Sequence, residues 1–328
     1  MVKLSIIIPL YNVEKYIGKC LESIFSQQVS EDNYEVFVVN DGTPDNSMRI
    51  VENYMSQPNL KVVNQENKGL SGARNRGVKE SNGEYIWFVD SDDYIDKKSI
   101  DIVLDVIEKA NANVYAFPHR KVYEKDGSME PEMKGLKEGF VTMEEFSVSS
   151  LCTSCVPFYV LKRAFFIEHD LFFHEGVYHE DMEFLAKLNV CCNEIYVCSS
   201  TLYYYLIRVS GSIMTSFNIK RAYDCLTIVD ELLRFKKENL TELKKKMIIN
   251  KSIAFLFILS LINLRDSYDC RNKEALRYVS DFSSIVTFRK YWWVFFHHKF
   301  TPYVIICMMC IFVSPKLFLF LYPKKNNI

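Results

Sequence analysis

The chain has 328 residues, of which 49% are apolar and 25% charged, so its composition excludes a disordered protein and predicts a folded one with a substantial core. Its net charge of −1 hides an asymmetry, because residues 1–218 hold 21 Lys/Arg against 32 Asp/Glu, whereas residues 219–328 hold 19 against 9. The acidic first part excludes a nucleic-acid groove there, since phosphate contacts need clustered Lys and Arg, and the two parts are predicted to meet different partners.

The start of the chain and its ten cysteines indicate a reducing, intracellular setting. The apolar run LSIIIPL is broken at Asn12–Glu14, and no small-residue cleavage site follows it. We therefore expect the first domain to stay in the cytosol.

Short apolar runs and longer amphipathic stretches alternate through the first 115 residues. The runs KLSIIIPL, EVFVVN, LKVVNQ and EYIWFV predict strands covered on both faces. Between them, helices are predicted at Val13–Gln27, Asp45–Met55 and Ser71–Ser81, with Asp45 and Ser71 as N-caps. Repeated βαβ units of this kind predict an α/β fold with a parallel, doubly wound sheet.

Polar residues follow each predicted strand, where ligands of such sheets bind. These segments are Pro9–Asn12, Asn40–Asp45, Glu66–Arg76 and Asp90–Asp93. Each one alone is also typical of an ordinary turn. Because neither GxxxxGK[ST] nor GxGxxG spacing occurs, a bound phosphate would need another counter-charge, and a divalent cation held by Asp90 and Asp92 would supply it.

Residues 116–218 are less regular and contain a second acidic motif, in VYHEDMEFLAKL. Apolar spacing predicts a helix that begins at Glu180 and Asp181. From this stretch alone, carboxylates that complement the helix dipole are as good an interpretation as a functional pair.

The sequence after residue 219 is basic, apolar and predicted to be helical. Ile248–Leu264 is strongly apolar, and the apolar segments Tyr303–Val313 and Leu317–Tyr322 are each shorter than the ~20 residues of a spanning helix. With aromatic residues and lysines nearby, we expect a helix lying at an anionic membrane surface. A buried core helix, or a contact in a homo-oligomer, is the alternative.

The order of the motifs is more specific than any one of them. SIIIPLYNVEKYIGKCLESI, VVNDGTPDNS, NKGLSGARNRGVKESNGEYIWFVDSDD and HEDMEF together resemble the family 2 glycosyltransferases, which are inverting enzymes with a GT-A fold. The resemblance covers residues 3–215. It implies a GT-A catalytic domain at 1–218, a Rossmann-like, mostly parallel sheet flanked by helices, and a helical extension at 219–328.

The resemblance also implies a nucleotide-diphospho-sugar donor and its contacts. Pro9, Tyr11 and Glu14 match positions that line the base and ribose pocket, and Asp41 matches an aspartate that binds the nucleobase. Three further positions match donor-binding residues: Arg74, Asp90 and Arg208. Arg208 would close over the diphosphate.

Asp90-Ser91-Asp92 matches the DxD motif of the family, in which Asp92 would be the direct metal ligand and Asp90 would orient the sugar or ribose. Residues i and i+2 of an extended segment point the same way, so Asp90 and Asp92 converge while Asp93 points elsewhere. Carboxylate oxygens suit Mn²⁺ or Mg²⁺. The role of Asp93 is left open by the sequence.

Glu180-Asp181 resembles the ED motif of the family, whose aspartate acts as general base. We expect Asp181 to take the proton of the acceptor hydroxyl and Glu180 to position the acceptor. His179 could also reach the acceptor, although a lone histidine is more often structural.

The chain differs from processive members, which carry a QxxRW motif and several spanning helices. We therefore predict a single-sugar transferase at the cytosolic face of the membrane, acting on a lipid-linked or growing surface glycan such as capsule or O-antigen. Two alternatives are a sugar nucleotidyltransferase, which would carry a glycine-rich basic loop after the first strand, and a non-catalytic membrane scaffold.

Overall fold

The computed structural model describes residues 2–130, 137–147, 155–209 and 219–266. By packing, the chain divides into two compact units, Met1–Gly176 with Cys191–Ser212 and Val177–Val190 with Ile213–Ile328. The sequence predicted one boundary at residue 218. The packing differs in assigning the segment Val177–Val190 to the second unit, together with the C-terminal helices.

Strands and helices alternate through the first unit, as predicted. In chain order they are β1 (Leu4–Leu10), α1 (Ile17–Phe25), β2 (Tyr34–Asn40), α2 (Ser47–Val51), β3 (Leu60–Asn64), α3 (Gly69–Glu80), β4 (Tyr85–Phe88), β5 (Tyr94–Ile95), α4 (Ser99–Ala110), β6 (Val114–Ala116) and β7 (His119–Tyr123). The four predicted strands all form, because the apolar runs of β1, β2 and β4 are buried almost throughout.

The rest of the described chain completes the two units. It contains β8 (Gly139–Thr142), α5 (Met143–Ser147), β9 (Tyr159–Lys162), α6 (Arg163–Glu168), α7 (Glu180–Cys191), β10 (Glu194–Val197), β11 (Tyr203–Ile207), α8 (Lys220–Asn239) and α9 (Leu243–Asp266). The helix predicted to begin at Glu180 is α7, and its start is confirmed.

The larger sheet of the first unit has the order β3-β2-β1-β4-β9-β6-β10-β8 among the described strands. Most neighbours are parallel, and β8 and β9 are the antiparallel strands. Because Leu10 pairs with Asn40 and Ile7 with Phe88, the residues that follow β1, β2 and β4 lie at one edge of the sheet. A smaller sheet has the order β5-β11-β7.

The predicted helices form, but their starts differ from the prediction. The prediction of Asp45 as an N-cap was wrong by one residue, because Asn46 is the N-cap of α2, and Asp45 Oδ1 accepts a hydrogen bond from Ser47 N–H at 3.1 Å from the position before it. The prediction of Ser71 as an N-cap was wrong, because α3 begins two residues earlier, at Gly69. Asp41, from the loop after β2, accepts hydrogen bonds from the N–H groups of Lys68 and Gly69 instead, both at 2.8 Å. A cap supplied by a distant loop leaves no local sequence signal.

The second unit contains α8 and α9, which confirms that the region after residue 219 is helical as far as it is described. Ile253, Leu256 and Phe257 of α9 are fully buried, whereas Leu243 and Phe255 are exposed. In the described part of the chain, Leu243–Leu264 is the one stretch long and apolar enough to cross a membrane, and 44% of its most apolar window is buried. The segments Tyr303–Val313 and Leu317–Tyr322 lie outside the described residues.

Candidate active site

Two carboxylates and two arginines meet at the edge of the larger sheet of the first unit. Asp90 and Asp92 come directly after β4, Arg74 lies in α3, and Arg208 follows β11. Arg74 Nη2 lies 2.9 Å from Asp90 Oδ1, and Arg208 Nε lies 3.1 Å from Asp92 Oδ2, the latter as an ion pair without hydrogen-bond alignment. Three separate parts of the chain therefore supply one charged cluster.

The carboxylate of Asp92 is buried, and the effect of this burial on its pKa exceeds the opposing effect of the arginines. Burial raises the pKa of Asp92 to about 6, the nearby charge of Asp90 adds to the rise, and Arg208 opposes it. Arg74 is itself 1% exposed and packs against the ring of Phe173, 5.2 Å from its centroid. An added positive charge beside Asp92 would lower the pKa of its carboxyl group again.

Asp93, whose role the sequence left open, points away from this cluster and is 1% exposed. Its Oδ2 accepts a hydrogen bond from the Tyr203 hydroxyl at 2.7 Å, and its Oδ1 accepts one from Leu206 N–H at 2.7 Å. Burial raises the pKa of Asp93, and the charges of Asp92 and Asp90 raise it further. Asp93 thus points away from the cluster as predicted, but the predicted extended segment is a turn, in which Asp93 N–H donates to the carbonyl oxygen of Asp90 at 3.0 Å.

Arg208 is held by two residues that the sequence analysis missed. Its guanidinium lies over the ring of Tyr16, 5.2 Å from the centroid. The Tyr16 hydroxyl donates to Glu124 Oε1 at 2.9 Å, and Val209 N–H donates to Glu124 Oε2 at 2.7 Å. Tyr203 was missed as well, and the tyrosine-rich run LYYYLIR was the one signal that could have drawn attention to it.

The loops after β1 and β2 are tied to each other. Glu14 N–H donates to Asp45 Oδ2 at 2.8 Å, and the Glu14 carboxylate accepts hydrogen bonds from Asn46 at 3.3 Å. Pro9 is buried at the end of β1, and Tyr11, 47% exposed, follows it at the sheet edge. Pro9 and Tyr11 therefore lie at the sheet edge, and their contact with the base and ribose stays a prediction, whereas the contacts of Glu14 are those of a loop brace.

Asp41 is 2% exposed and holds the start of α3. Besides the two backbone N–H groups, Gln65 Nε2 donates to Asp41 Oδ1 at 2.7 Å. This cap fixes the helix that carries Arg74, so Asp41 supports the cluster structurally. Its contact with a nucleobase stays a prediction.

Glu180 and Asp181 open α7 in the second unit, and their catalytic roles stay predictions. The residues before them are anchored to the helices of that unit: Tyr178 N–H donates to Asp224 Oδ2 at 2.8 Å, and His179 Nε2 lies 3.3 Å from Asn263 Nδ2. His179 has a positive φ of 66°. Burial lowers its pKa to about 4, so His179 is neutral at pH 7 and its surroundings favour the structural interpretation.

The cluster fits a cation that is shared with a substrate. Within residues 2–130, 137–147, 155–209 and 219–266, no group of three or more His, Cys, Asp or Glu could hold a metal ion. Asp90 and Asp92 supply two hard oxygen ligands, and Mn²⁺ or Mg²⁺ usually completes its shell with phosphate oxygens and water. The two aspartates are therefore suited to a metal that arrives with a diphosphate.

Comparison with protein families decides the class of the chain. The sequence pattern of glycosyl transferase family 2 matches residues 5–170. The chain belongs to this family. It therefore contains the glycosyltransferase domain that the motifs of the first unit predicted.

Several curated bacterial proteins are similar to this glycosyltransferase. The poly(ribitol-phosphate) beta-N-acetylglucosaminyltransferase TarS of Staphylococcus aureus is 34% identical over 221 residues, which are 66% of this chain and 37% of TarS. Glycosyltransferase GlyG of Streptococcus pneumoniae is 29% identical over 246 residues, 69% of this chain and 77% of GlyG. The chain thus spans well under half the length of TarS.

Solved structures share the fold. S. aureus TarS 1–349 in complex with UDP-GlcNAc superposes with a TM-score of 0.76 and 24% identity, covering 98% of this chain and 90% of that one. TarS 1–349 without that ligand gives a TM-score of 0.65 at 26% identity, with 87% and 81% covered. The likeness confirms the predicted GT-A fold.

Proposed function

We propose that this glycosyltransferase moves a single sugar from a nucleotide-diphospho-sugar, preferably a UDP-sugar, to a hydroxyl of a lipid-linked or growing surface glycan, with inversion at the anomeric carbon. The observation that carries the proposal is the cluster of Asp90, Asp92, Arg74 and Arg208 at the sheet edge. Two arginines beside two carboxylates suit a diphosphate that arrives with a divalent cation.

The residues of the first unit bind and orient the donor. A bound Mn²⁺ or Mg²⁺ would stabilise the negative charge that develops on the departing diphosphate. Asp92 and Asp90 would hold that ion through their carboxylate oxygens. Arg208 would turn from Asp92 to the diphosphate, and Pro9, Tyr11 and Asp41 would receive the nucleoside.

Asp181 is proposed as the general base, with Glu180 positioning the acceptor. An inverting displacement needs a carboxylate that takes the hydroxyl proton as the hydroxyl attacks. Neutral His179, anchored by Asn263, precedes this pair and is not needed as a proton carrier.

The relatives support the donor and acceptor classes. TarS is named for transfer of N-acetylglucosamine to poly(ribitol-phosphate), and its structures hold UDP-GlcNAc and UDP. Another relative, GgaB of Bacillus subtilis, is named as a minor teichoic acid biosynthesis protein. We therefore include polyol-phosphate chains among the acceptors to test, beside lipid-linked glycans.

The test is a panel of UDP-, GDP- and dTDP-sugars with Mn²⁺, in which release of the nucleoside diphosphate is measured with and without acceptor. We expect a UDP-sugar to yield UDP. Asp181→Asn should bind UDP like the wild type but lose transfer by about 100-fold or more, whereas exposed Asp170→Asn should keep it. Pyrophosphate formed from UTP and a sugar phosphate would support the nucleotidyltransferase instead.

The membrane part of the proposal is separate. We propose that the basic C-terminal region, with 19 Lys/Arg against 9 Asp/Glu, holds the protein peripherally on the inner face of the cell membrane. The full chain should sediment with anionic vesicles at low salt and leave them as salt rises. Equal binding to neutral vesicles, or none to either, would contradict this. A chain that remains bound to the vesicles at high salt would favour a spanning α9 instead.

A further inference from the structure

Asp93 connects two elements of the proposed donor site, and nothing in the reaction itself uses its carboxylate. It is the third acidic residue in four positions, and it is buried among the first unit's own groups. A buried carboxylate is costly unless it is hydrogen-bonded, so its retention beside Asp90 and Asp92 calls for a specific role.

The contacts of Asp93 lead to one strand. Tyr203 at the start of β11 donates its hydroxyl proton to Asp93 Oδ2, and Leu206 in the same strand donates its N–H to Oδ1. The Tyr203 hydroxyl also accepts a hydrogen bond from Asp90 N–H, at 3.1 Å. One hydroxyl therefore joins the backbone of Asp90 to the side chain of Asp93.

Arg208 comes directly after the same strand, β11. Tyr203 pairs with Ile95 across β5, and Arg208 follows Ile207, the last residue of β11. A shift of β11 by one residue would turn its side chains to the opposite face and move Arg208 away from Asp92. β11 is also paired with β7 over its five residues, and the two hydrogen bonds to Asp93 tie that register to the turn that carries Asp90 and Asp92.

We propose that Asp93 is a positioning residue that, through Tyr203 and Leu206, locks β11 in the register that brings Arg208 to Asp92 and holds the Asp90 backbone in place. This inference rests on the proposed function, since it assigns the lock to donor binding. Tyr203 is part of the lock, and both residues act on donor binding through Arg208 and the Asp90 backbone.

The test compares Tyr203→Phe and Asp93→Asn with Tyr204→Phe. Tyr204 is the matched control, because its hydroxyl donates to Asp96 at 3.2 Å from the next position of the same strand. Loss of a hydroxyl that serves two buried partners should weaken Mn²⁺-dependent UDP binding about 10-fold in Tyr203→Phe, and Asp93→Asn should do the same. Tyr204→Phe should stay within about twofold.

A second readout separates the lock from the donor claim. Hydrogen exchange of the peptides that cover Asp90–Asp96 and Tyr203–Arg208 should become faster in Tyr203→Phe and Asp93→Asn than in Tyr204→Phe. A double-mutant cycle of Tyr203→Phe with Arg208→Gln should be non-additive for UDP affinity.

Wild-type exchange and wild-type affinity in both variants, or fully additive effects with Arg208, would overturn the lock. If the wild type binds no nucleotide, the donor proposal fails, while the exchange rates still decide whether Asp93 fixes β11. If one of the two variants does not fold, the other supplies the comparison.

Discussion

At the residue scale, the structure separates three neighbouring carboxylates by their partners. Asp90 pairs with buried Arg74, Asp92 pairs with Arg208, and Asp93 turns inward to Tyr203. The sequence predicted that Asp90 and Asp92 act together, because alternate residues share a face. It could not predict the partner of Asp93, which lies 110 positions further along the chain.

The buried ion pair gives a prediction about stability. Arg74→Gln leaves Asp90 without its guanidinium partner, so we expect a loss of about 3 kcal/mol in the free energy of unfolding. This is the lower end for a broken buried pair, because the Asp90 side chain keeps 24% exposure. Arg76→Gln is the control, because Arg76 is exposed and pairs with Glu80 on the same helix. Its free energy of unfolding should stay within about 0.5 kcal/mol of the wild-type value. Urea unfolding of both variants measures the difference, and similar losses would contradict it.

At the element scale, α3 holds Arg74 in place because two parts of the helix are fixed, its first turn and its contact with β1. Asp41 holds its first turn, and Gly77 allows it to approach β1 closely. The sequence predicted the existence of this helix from its spacing. It could not predict the start at Gly69, because the capping carboxylate comes from another loop.

The close approach of α3 to β1 can be tested with two glycines. A Cβ at Gly77 would overlap Ile7 Cγ2, and Ile7 is a fully buried, branched side chain in a central strand. Gly77→Ala should therefore lower the free energy of unfolding by about 1–3 kcal/mol. A Cβ at Gly18 in α1 meets only Ile50 Cγ2, at 3.5 Å. Gly18→Ala should therefore be neutral or stabilise by up to about 1 kcal/mol. Thermal unfolding compares the two, and equal effects would mean that α3 can move away from β1 without loss.

At the scale of the whole molecule, the chain folds as two compact units, and the ED motif belongs to the second. The α/β fold could be predicted because buried strands and amphipathic helices leave local patterns of apolar residues. The assignment of residues 177–190 could not, because it depends on contacts of Tyr178 and His179 with helices that come much later in the chain.

Each unit contains a histidine with a lowered pKa, buried His119 in the first and half-buried His179 in the second, and these predict how stability responds to pH. Burial lowers the pKa of His119 to about 4, and Lys121 adds to the effect; the pKa of His179 is also lowered to about 4, by burial and by Arg221. The ordinary value is 6.5, so between pH 6.5 and 4 these two histidines bind more protons in the unfolded chain than in the folded one. Their contribution to stability should therefore fall as the pH falls through this window, whereas the raised pKa values of Asp92 and Asp93 act in the opposite direction.

The test for this pH effect is urea unfolding at several pH values between 7 and 4. His119→Phe keeps a ring against Phe158, where the centroids are 3.6 Å apart, and removes the titrating group. As the pH falls from 6.5 to 4, the stability of His119→Phe should fall less than that of the wild type. His179→Asn, which tolerates the positive φ, should do the same in the second unit. Parallel pH profiles of wild type and both variants would contradict the prediction.

The most direct test of the proposed donor site is a calorimetric titration of the full chain with UDP, in Mn²⁺ and in EDTA. We predict binding in Mn²⁺ that weakens at least about 10-fold in EDTA and to a similar extent in Asp92→Asn, whereas Asp96→Asn, outside the cluster, binds like the wild type. Equal affinity with and without the metal, together with normal binding by Asp92→Asn, would contradict the account.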